Sequence, residues 1–178
     1  MTGTIALRHW HGPDHAAELT CVRTMLTDPE VRRWNPVVQL PDPDLPGAAT
    51  AAAGAWLAKA AADERAWAIT DPADDRLLGG ITLRDASPLA RAAAVGYWLL
   101  PDARGRGAAK LALRRVTELA FAEYGFHRVE LGHMTGHAAS CAIAVACGYL
   151  VEGTQRQSLP DASGTLHDLH LHARLATD

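Results

Sequence analysis

Between residues 4 and 8 (TIALR) apolar and polar side chains alternate, the period of a half-buried strand. Pro13 and Asp14 open a helix that runs to about residue 25. Asp28-Pro29-Glu30 opens a short second one, with Pro29 at the first helical position and a stop near Trp34-Asn35-Pro36. The following VVQLPDPDLPG carries Pro41, Pro43 and Pro46 and reads as a loop, long enough to suggest a functional role. Residues 48–61 (AATAAAGAWLAKAA) are helical by propensity, with Trp56 and Leu57 on the packing face. Strand-like runs come next at 65–70 (RAWAIT), 77–83 (LLGGITL) and 92–100 (AAAVGYWLL), and their short connections favour an antiparallel meander.

The strongest helical pattern lies at 108–124. Ala109, Ala112, Leu113, Val116 and Ala120 line one face, and Lys110, Arg114, Thr117 and Glu118 another, with Arg114 and Glu118 forming an i,i+4 pair. A strand at 128–133 (RVELGH), a small-residue helix at 137–146, a strand from Tyr149 and an alternating strand at 166–175 complete the chain. Strand, helix, strand with short links implies a parallel pair. The predicted fold is therefore α/β (α+β), a mixed, twisted central sheet of about seven strands flanked by helices.

The 178 residues suffice for one sizeable core, so a single domain over 1–178 is expected. A net charge of −3 lacks the basic excess of a nucleic-acid binder. No apolar run approaches the length of about 18 residues needed to span a bilayer, and no secretory pattern opens the chain, so a cytoplasmic protein without a membrane partner is expected. Cys21, Cys141 and Cys147 lack Cys-x-x-Cys spacing and read as buried free thiols.

The segment PDARGRGAAKLALRR, 101–115, carries the chemistry. A strand ending at Leu100, a glycine turn and a helix from about Ala108 leave the amides of residues 105–109 at a helix N-terminus, where an anion binds. Gly105 and Gly107 let phosphate oxygens approach the main chain, and Arg104 and Arg106 add positive charge. A Walker loop needs Gly before Lys110 and Ser or Thr after it, and a dinucleotide fingerprint needs Gly at Lys110 itself; neither fits. A plain glycine turn with solvated arginines is the alternative.

Arg104-Gly105-Arg106-Gly107-Ala108-Ala109, preceded by GYWLLP and followed by a long helix, resembles the phosphate signature of the GNAT superfamily of acetyl-coenzyme A-dependent N-acetyltransferases. His137-Ala-Ala-Ser140 through CGYLVEG is similar to that family's second block, with His137 in place of the usual Asn and Tyr149 in place of Phe. IALRHW, DPEVRRW, AWAITDPADDRLLGGITL and HDLHLHARL resemble the branch that acetylates N-terminal amines of ribosomal proteins (RimJ/RimL-like), which also includes enzymes acting on small amines.

The resemblance implies acetyl-CoA as co-substrate and transfer of its acetyl group to a primary amine by direct attack in a ternary complex. The diphosphate would sit on Arg104, Gly105, Arg106, Gly107, Ala108 and Ala109. Main-chain donors of Tyr97, Trp98, Leu99 and Leu100 would line the pantetheine arm, with His137 and Ser140 near the thioester. Glu130 and His133 share a strand but lie on opposite faces, so only one can face the cleft. Glu130 is preferred as base, against an ordinary surface ion pair. Ser140 is either a proton donor to the leaving thiolate or a small helix residue, and His137 either caps its helix or donates a proton. Trp34, beside the proline loop, is the candidate acceptor wall. His170 and His172 share a strand face with His167 nearby, but a histidine pair without a carboxylate at ligand spacing is a weak metal signal, so no metal is expected and these side chains read as solvent-facing or at an interface. That strand also offers a surface for a homodimer. The acceptor is a small-molecule or peptide amine; a non-catalytic acyl-CoA sensor on the same fold is the rival reading.

Overall fold

Alternation, propensity and capping become real elements in the computed structural model, which describes residues 4–35, 46–161 and 163–178. The strands are β1 (Ala6–His9), β2 (Ala66–Thr70), β3 (Leu77–Ser87), β4 (Ala92–Leu99), β5 (Arg128–Met134), β6 (Leu150–Pro160) and β7 (Leu166–Leu175). The helices are α1 (Ala16–Thr27), α2 (Pro29–Trp34), α3 (Ala48–Ala62), α4 (Ala108–Ala122) and α5 (Ala138–Ala146). Among the described residues the strands form one seven-stranded sheet in the order β1-β2-β3-β4-β5-β7-β6. The sheet is mixed, because β4 and β5 run parallel while β1 with β2, β5 with β7 and β6 with β7 run antiparallel. Most of the expected proline loop, residues 36–45, lies outside the described residues.

The chain divides into two compact units. The first comprises Met1–Gly80 with Trp98–Ala108, and the second Ile81–Tyr97 with Ala109–Asp178. In the first, α1 packs on α3 and α2, and α3 on β2. Its core gathers Trp10, Val22, Met25, Leu26, Ala53, Leu57 and Ala68, with Trp56 and Trp98 packed against them. Trp10 meets Trp56 edge-on at 5.2 Å between ring centroids and stacks on Trp98 at 6.1 Å, so Trp98 turns its side chain into a tryptophan cluster. Burying one such aliphatic or aromatic side chain contributes roughly 1.5–3 kcal/mol. The helix start after Pro13 falls later than the sequence suggests, since His15 and not Asp14 is the cap, accepting from the Glu18 amide. Glu18 is buried in the first turn of α1, where its carboxylate accepts from Arg8 at 2.6 Å and from the amides of His11 and Gly12. These partners, offsetting burial, hold its pKa below the ordinary value. Gly79 is the residue that close strand approach requires, because a Cβ there would collide with the Trp98 carbonyl oxygen and stand 2.9 Å from the Leu99 Cα.

In the second unit α5 lies on β5 and β6. Helix α4 buries Ala112, Leu113, Val116 and Ala120, as its apolar stripe predicts. Two expectations fail on this helix. Thr117 belongs to the buried face, where its hydroxyl donates to the Leu113 carbonyl at 2.7 Å and meets the Tyr149 hydroxyl at 2.6 Å. The back-bond satisfies the hydroxyl's own proton, so the side chain enters the core as a nearly apolar group. Arg114 reaches the Ala146 carbonyl at the end of α5, 2.8 Å away, and among the described residues no ion pair joins it to Glu118. The bond satisfies an orphan helix-terminal carbonyl, whereas an exposed i,i+4 ion pair contributes little.

Candidate functional site

Proline sets the first turn after β4. Pro101 opens a single 3-10 turn over Pro101–Ala103, in which the Ala103 amide donates to Leu100 and the Arg104 amide to Pro101. The chain then passes through two left-handed residues, Gly105 at φ +73° and Gly107 at φ +82°, before α4 begins at Ala108. Space is open where a Cβ would stand at either glycine, so conformation and not crowding selects them. Among the described residues the amides of Gly105, Arg106 and Gly107 have no backbone acceptor, which leaves donors presented at the start of a fifteen-residue helix.

The two arginines of this loop differ. Arg104 is an internal brace whose Nη2 donates to the Asp28 carboxylate at 2.6 Å and to the Leu99 carbonyl at 3.1 Å. Asp28 also caps α2 by accepting from the Val31 amide at 2.9 Å. Burial would raise the Asp28 pKa, but Arg104 and the Val31 amide together hold it below the ordinary value. The positive charge expected from Arg104 is therefore largely neutralised, and Arg106 is the exposed cation of the loop.

Strands β4 and β5 pair over Ala92–Ala94 and Arg128–Glu130, and no register between them continues beyond Ala94↔Glu130. Past that point β4 runs on to Leu99 and β5 to Met134, β5 being paired along its whole length with β7 on its other edge. In this unit the Tyr97 hydroxyl lies 3.0 Å from the Ser140 hydroxyl in the first turn of α5. Burial pushes the Tyr97 pKa up to about 12, against the lowering effect of the Ser140 bond, so both groups are neutral hydrogen-bonding hydroxyls at neutral pH.

These features match a known family, whose description, Acetyltransferase (GNAT) domain, fits residues 4–150. The chain belongs to the GNAT acetyltransferase family. It is 32% identical over 102 residues to YdaF of Bacillus subtilis (strain 168), which bears a provisional ribosomal N-acetyltransferase name; the match covers 57% of this chain and 55% of that protein. The chain thus spans about half the length of the curated relatives it matches. A GNAT-family acetyltransferase from Bacillus anthracis has the same fold, with a TM-score of 0.83 at 15% identity over 100% of this chain and 98% of that one. RimJ of Mycobacterium smegmatis, solved in complex with CoA-disulfide, gives a TM-score of 0.78 at 24% identity over 99% and 84%.

The remaining candidates of this GNAT chain are dispersed. Glu130, the last position of β5 paired with β4, accepts from Arg128 at 2.8 Å, and the Arg128 guanidinium also forks onto Glu152. His137 occupies the N-cap position of α5 without a side-chain capping bond. Its ring centroid is 6.2 Å from that of His133. Trp34 donates its indole N–H to Glu30 at 3.0 Å and carries the Arg33 guanidinium 4.6 Å over its ring, so it packs on its own helix; its expected neighbour, the proline loop, lies outside the described residues. Trp98 contributes main chain to β4 while its ring joins the first unit's core.

The C-terminal histidines overturn a sequence expectation. His172 is fully buried, not solvent-facing, and so is nearly all of His133. Register explains it: His133 pairs with His170 across the β5–β7 ladder, and His172, two residues on, shares their face. Alternation assigns residues to a face but cannot say which face α5 covers. Burial lowers the pKa of both His133 and His172, favouring neutral imidazoles. Sequence reasoning also missed Asp28 as partner of Arg104, Tyr149 as partner of Thr117, and the Tyr97 hydroxyl as partner of Ser140, since contacts between residues 76, 32 and 43 positions apart leave no local signal.

Proposed function

We propose that this GNAT chain transfers the acetyl group of acetyl-CoA to a primary amine, that of a protein N-terminus or a small molecule, by direct attack in a ternary complex. The observation that carries the reading is the glycine loop: left-handed Gly105 and Gly107, open space at both, and amides without internal acceptors running into α4. That donor set fits a diphosphate, with Arg106 as the free cation and Ala108 and Ala109 opening the helix. Arg104 contributes by bracing the loop through Asp28.

When bound, acetyl-CoA supplies a thioester carbonyl open to an amine. Main-chain donors of residues 97–99 on β4, beyond its last pairing with β5, are suited to the pantetheine arm and to a developing oxyanion, where one such donor contributes about 2.7–4 kcal/mol; the expected Leu100 donor is instead committed to the Leu78 carbonyl at 2.9 Å. The Ser140 hydroxyl, polarised by Tyr97, delivers a proton toward the departing sulfur. Glu130, at the point where the strands part, takes the proton of the incoming ammonium, directly or through water; its bond to Arg128 keeps the carboxylate oriented. His137, at the N-cap position of the same helix as Ser140, is a second candidate proton donor.

The single domain expected over 1–178 is part of this proposal, and the family match running from residue 4 to 150 across both compact units supports it. So is the ribosomal-protein branch, supported by the name of YdaF. Among the described residues no helix is long and apolar enough to cross a membrane. A second reading, an acyl-CoA sensor, is favoured by His137 standing where the family has Asn. Free-thiol release from acetyl-CoA, measured with ribosomal-protein N-terminal peptides, polyamines and amino sugars, decides between them. Amine-dependent release above the hydrolysis background supports the enzyme; tight binding without release from any acceptor supports the sensor.

A further inference from the structure

We propose that His133, Cys141, His170 and His172 form a binding site for one zinc-class divalent cation, on the sheet face that α5 covers. One ligand atom from each residue lies within 4.8 Å of every other. The four side chains come from three elements, β5, α5 and β7, so the grouping exists only in the folded chain.

The geometry is that of a ligand set. The Nε2 atoms of His133 and His172 face each other at 3.2 Å. Two nitrogens bound at about 2.0–2.1 Å to a tetrahedral Zn²⁺ stand about 3.3 Å apart. His133 directs its Nδ1 at the Met134 carbonyl, 3.0 Å away. That bond requires the proton on Nδ1 and leaves the Nε2 lone pair aimed inward, as outer hydrogen bonds orient metal-ligating histidines.

Proton accounting at His172 points the same way. If His172 donates Nε2–H to His133, its Nδ1 becomes a buried acceptor, and that atom has no hydrogen bond among the described residues. If the proton sits on Nδ1 instead, two Nε2 lone pairs confront each other at 3.2 Å. Either arrangement is unfavourable on its own. A cation between the rings accepts both lone pairs and lets the Nδ1 proton of His172 turn toward the Tyr149 backbone.

The donor set names the metal class. Imidazole nitrogens with one thiolate suit zinc and exclude the oxygen-seeking Mg²⁺ and Ca²⁺. His133 and His172 are buried, whereas His170 and Cys141 are half-buried and give the ion its entry side. Because Cys141 follows Ser140, an ion held there would also fix the first turn of α5. A second grouping, His11, His15 and Glu18, has its carboxylate already committed to Arg8 and the His11 and Gly12 amides.

The test uses the full chain without a polyhistidine tag, stripped with chelator and titrated with Co²⁺, then Zn²⁺. Expected are saturation at one equivalent, a thiolate-to-cobalt charge-transfer band displaced by zinc, and a raised thermal midpoint. C141S abolishes the band. Since loss of an outer-shell partner alone weakens metal binding about 10–100-fold, H170N weakens affinity at least tenfold. X-ray absorption of the zinc-loaded wild type, which needs no variant to fold, shows one sulfur at about 2.3 Å among nitrogen ligands. No saturation at one equivalent, an oxygen-only shell, or binding unchanged in both variants means an adventitious ion only and overturns the proposal.

Discussion

The hydroxyl of Tyr97 on β4 is hydrogen-bonded to the hydroxyl of Ser140 on α5 at 3.0 Å, the two residues being 43 positions apart in sequence. A partly buried pair of this kind fixes both rotors, and one proton of the pair is available to a third group. Under the proposed function, S140A lowers kcat by about 10²-fold with little change in the KM for acetyl-CoA, because proton delivery acts on the transition state. Y97F lowers it less, since Ser140 keeps its own proton. Steady-state thiol release for the two variants checks the order; equal loss, or loss confined to KM, contradicts the assignment.

Thr117 and Tyr149 predict an asymmetry in stability. Thr117 donates to the Leu113 carbonyl, so the proton between the two hydroxyls comes from Tyr149. T117V leaves a buried phenol without an acceptor and costs about 2 kcal/mol; Y149F leaves Thr117 still back-bonded and costs about 1 kcal/mol or less. Urea unfolding with unchanged m-values measures both.

Asp28 sets an acid-side dependence. Its folded pKa lies below the ordinary value, so its contribution is fully present above the unfolded value of about 3.9 and is lost as pH falls through the lower folded one. D28N keeps an oxygen to cap α2 but loses the charge-assisted bond to Arg104, costing about 1.5 kcal/mol at neutral pH. The stability difference between wild type and D28N is constant above about pH 4 and shrinks below it. A gap that widens on acidification contradicts the pairing.

Much of the fold was legible because its signals are local. Alternation marks β1 and β7, Asp28-Pro29 announces α2 to the residue, and glycines between β4 and α4 mark the loop. What stayed hidden depends on partners. Thr117 looks polar until its back-bond is known, and Arg104 looks like a phosphate ligand until Asp28 arrives from 76 positions away. His172 looks solvent-facing until α5 is laid over β5. Register and layer, which decide these cases, are properties of the assembled sheet.

In the phosphate loop, G107A forces an L-residue to φ +82° and costs roughly 1–2 kcal/mol although nothing obstructs its methyl group. Affinity for acetyl-CoA, read by calorimetry, falls with it as the amides lose their aim. Affinity equal to wild type in a folded variant removes the loop from the binding site.

Gly79 and Gly107 both disfavour an L side chain, yet they respond differently to mirror-image chemistry. D-alanine installed at Gly107 by chemical ligation adopts the required handedness without strain, so what is fixed there is chirality. At Gly79 the obstacle is the neighbouring main chain of Trp98 and Leu99, so what is fixed there is bulk.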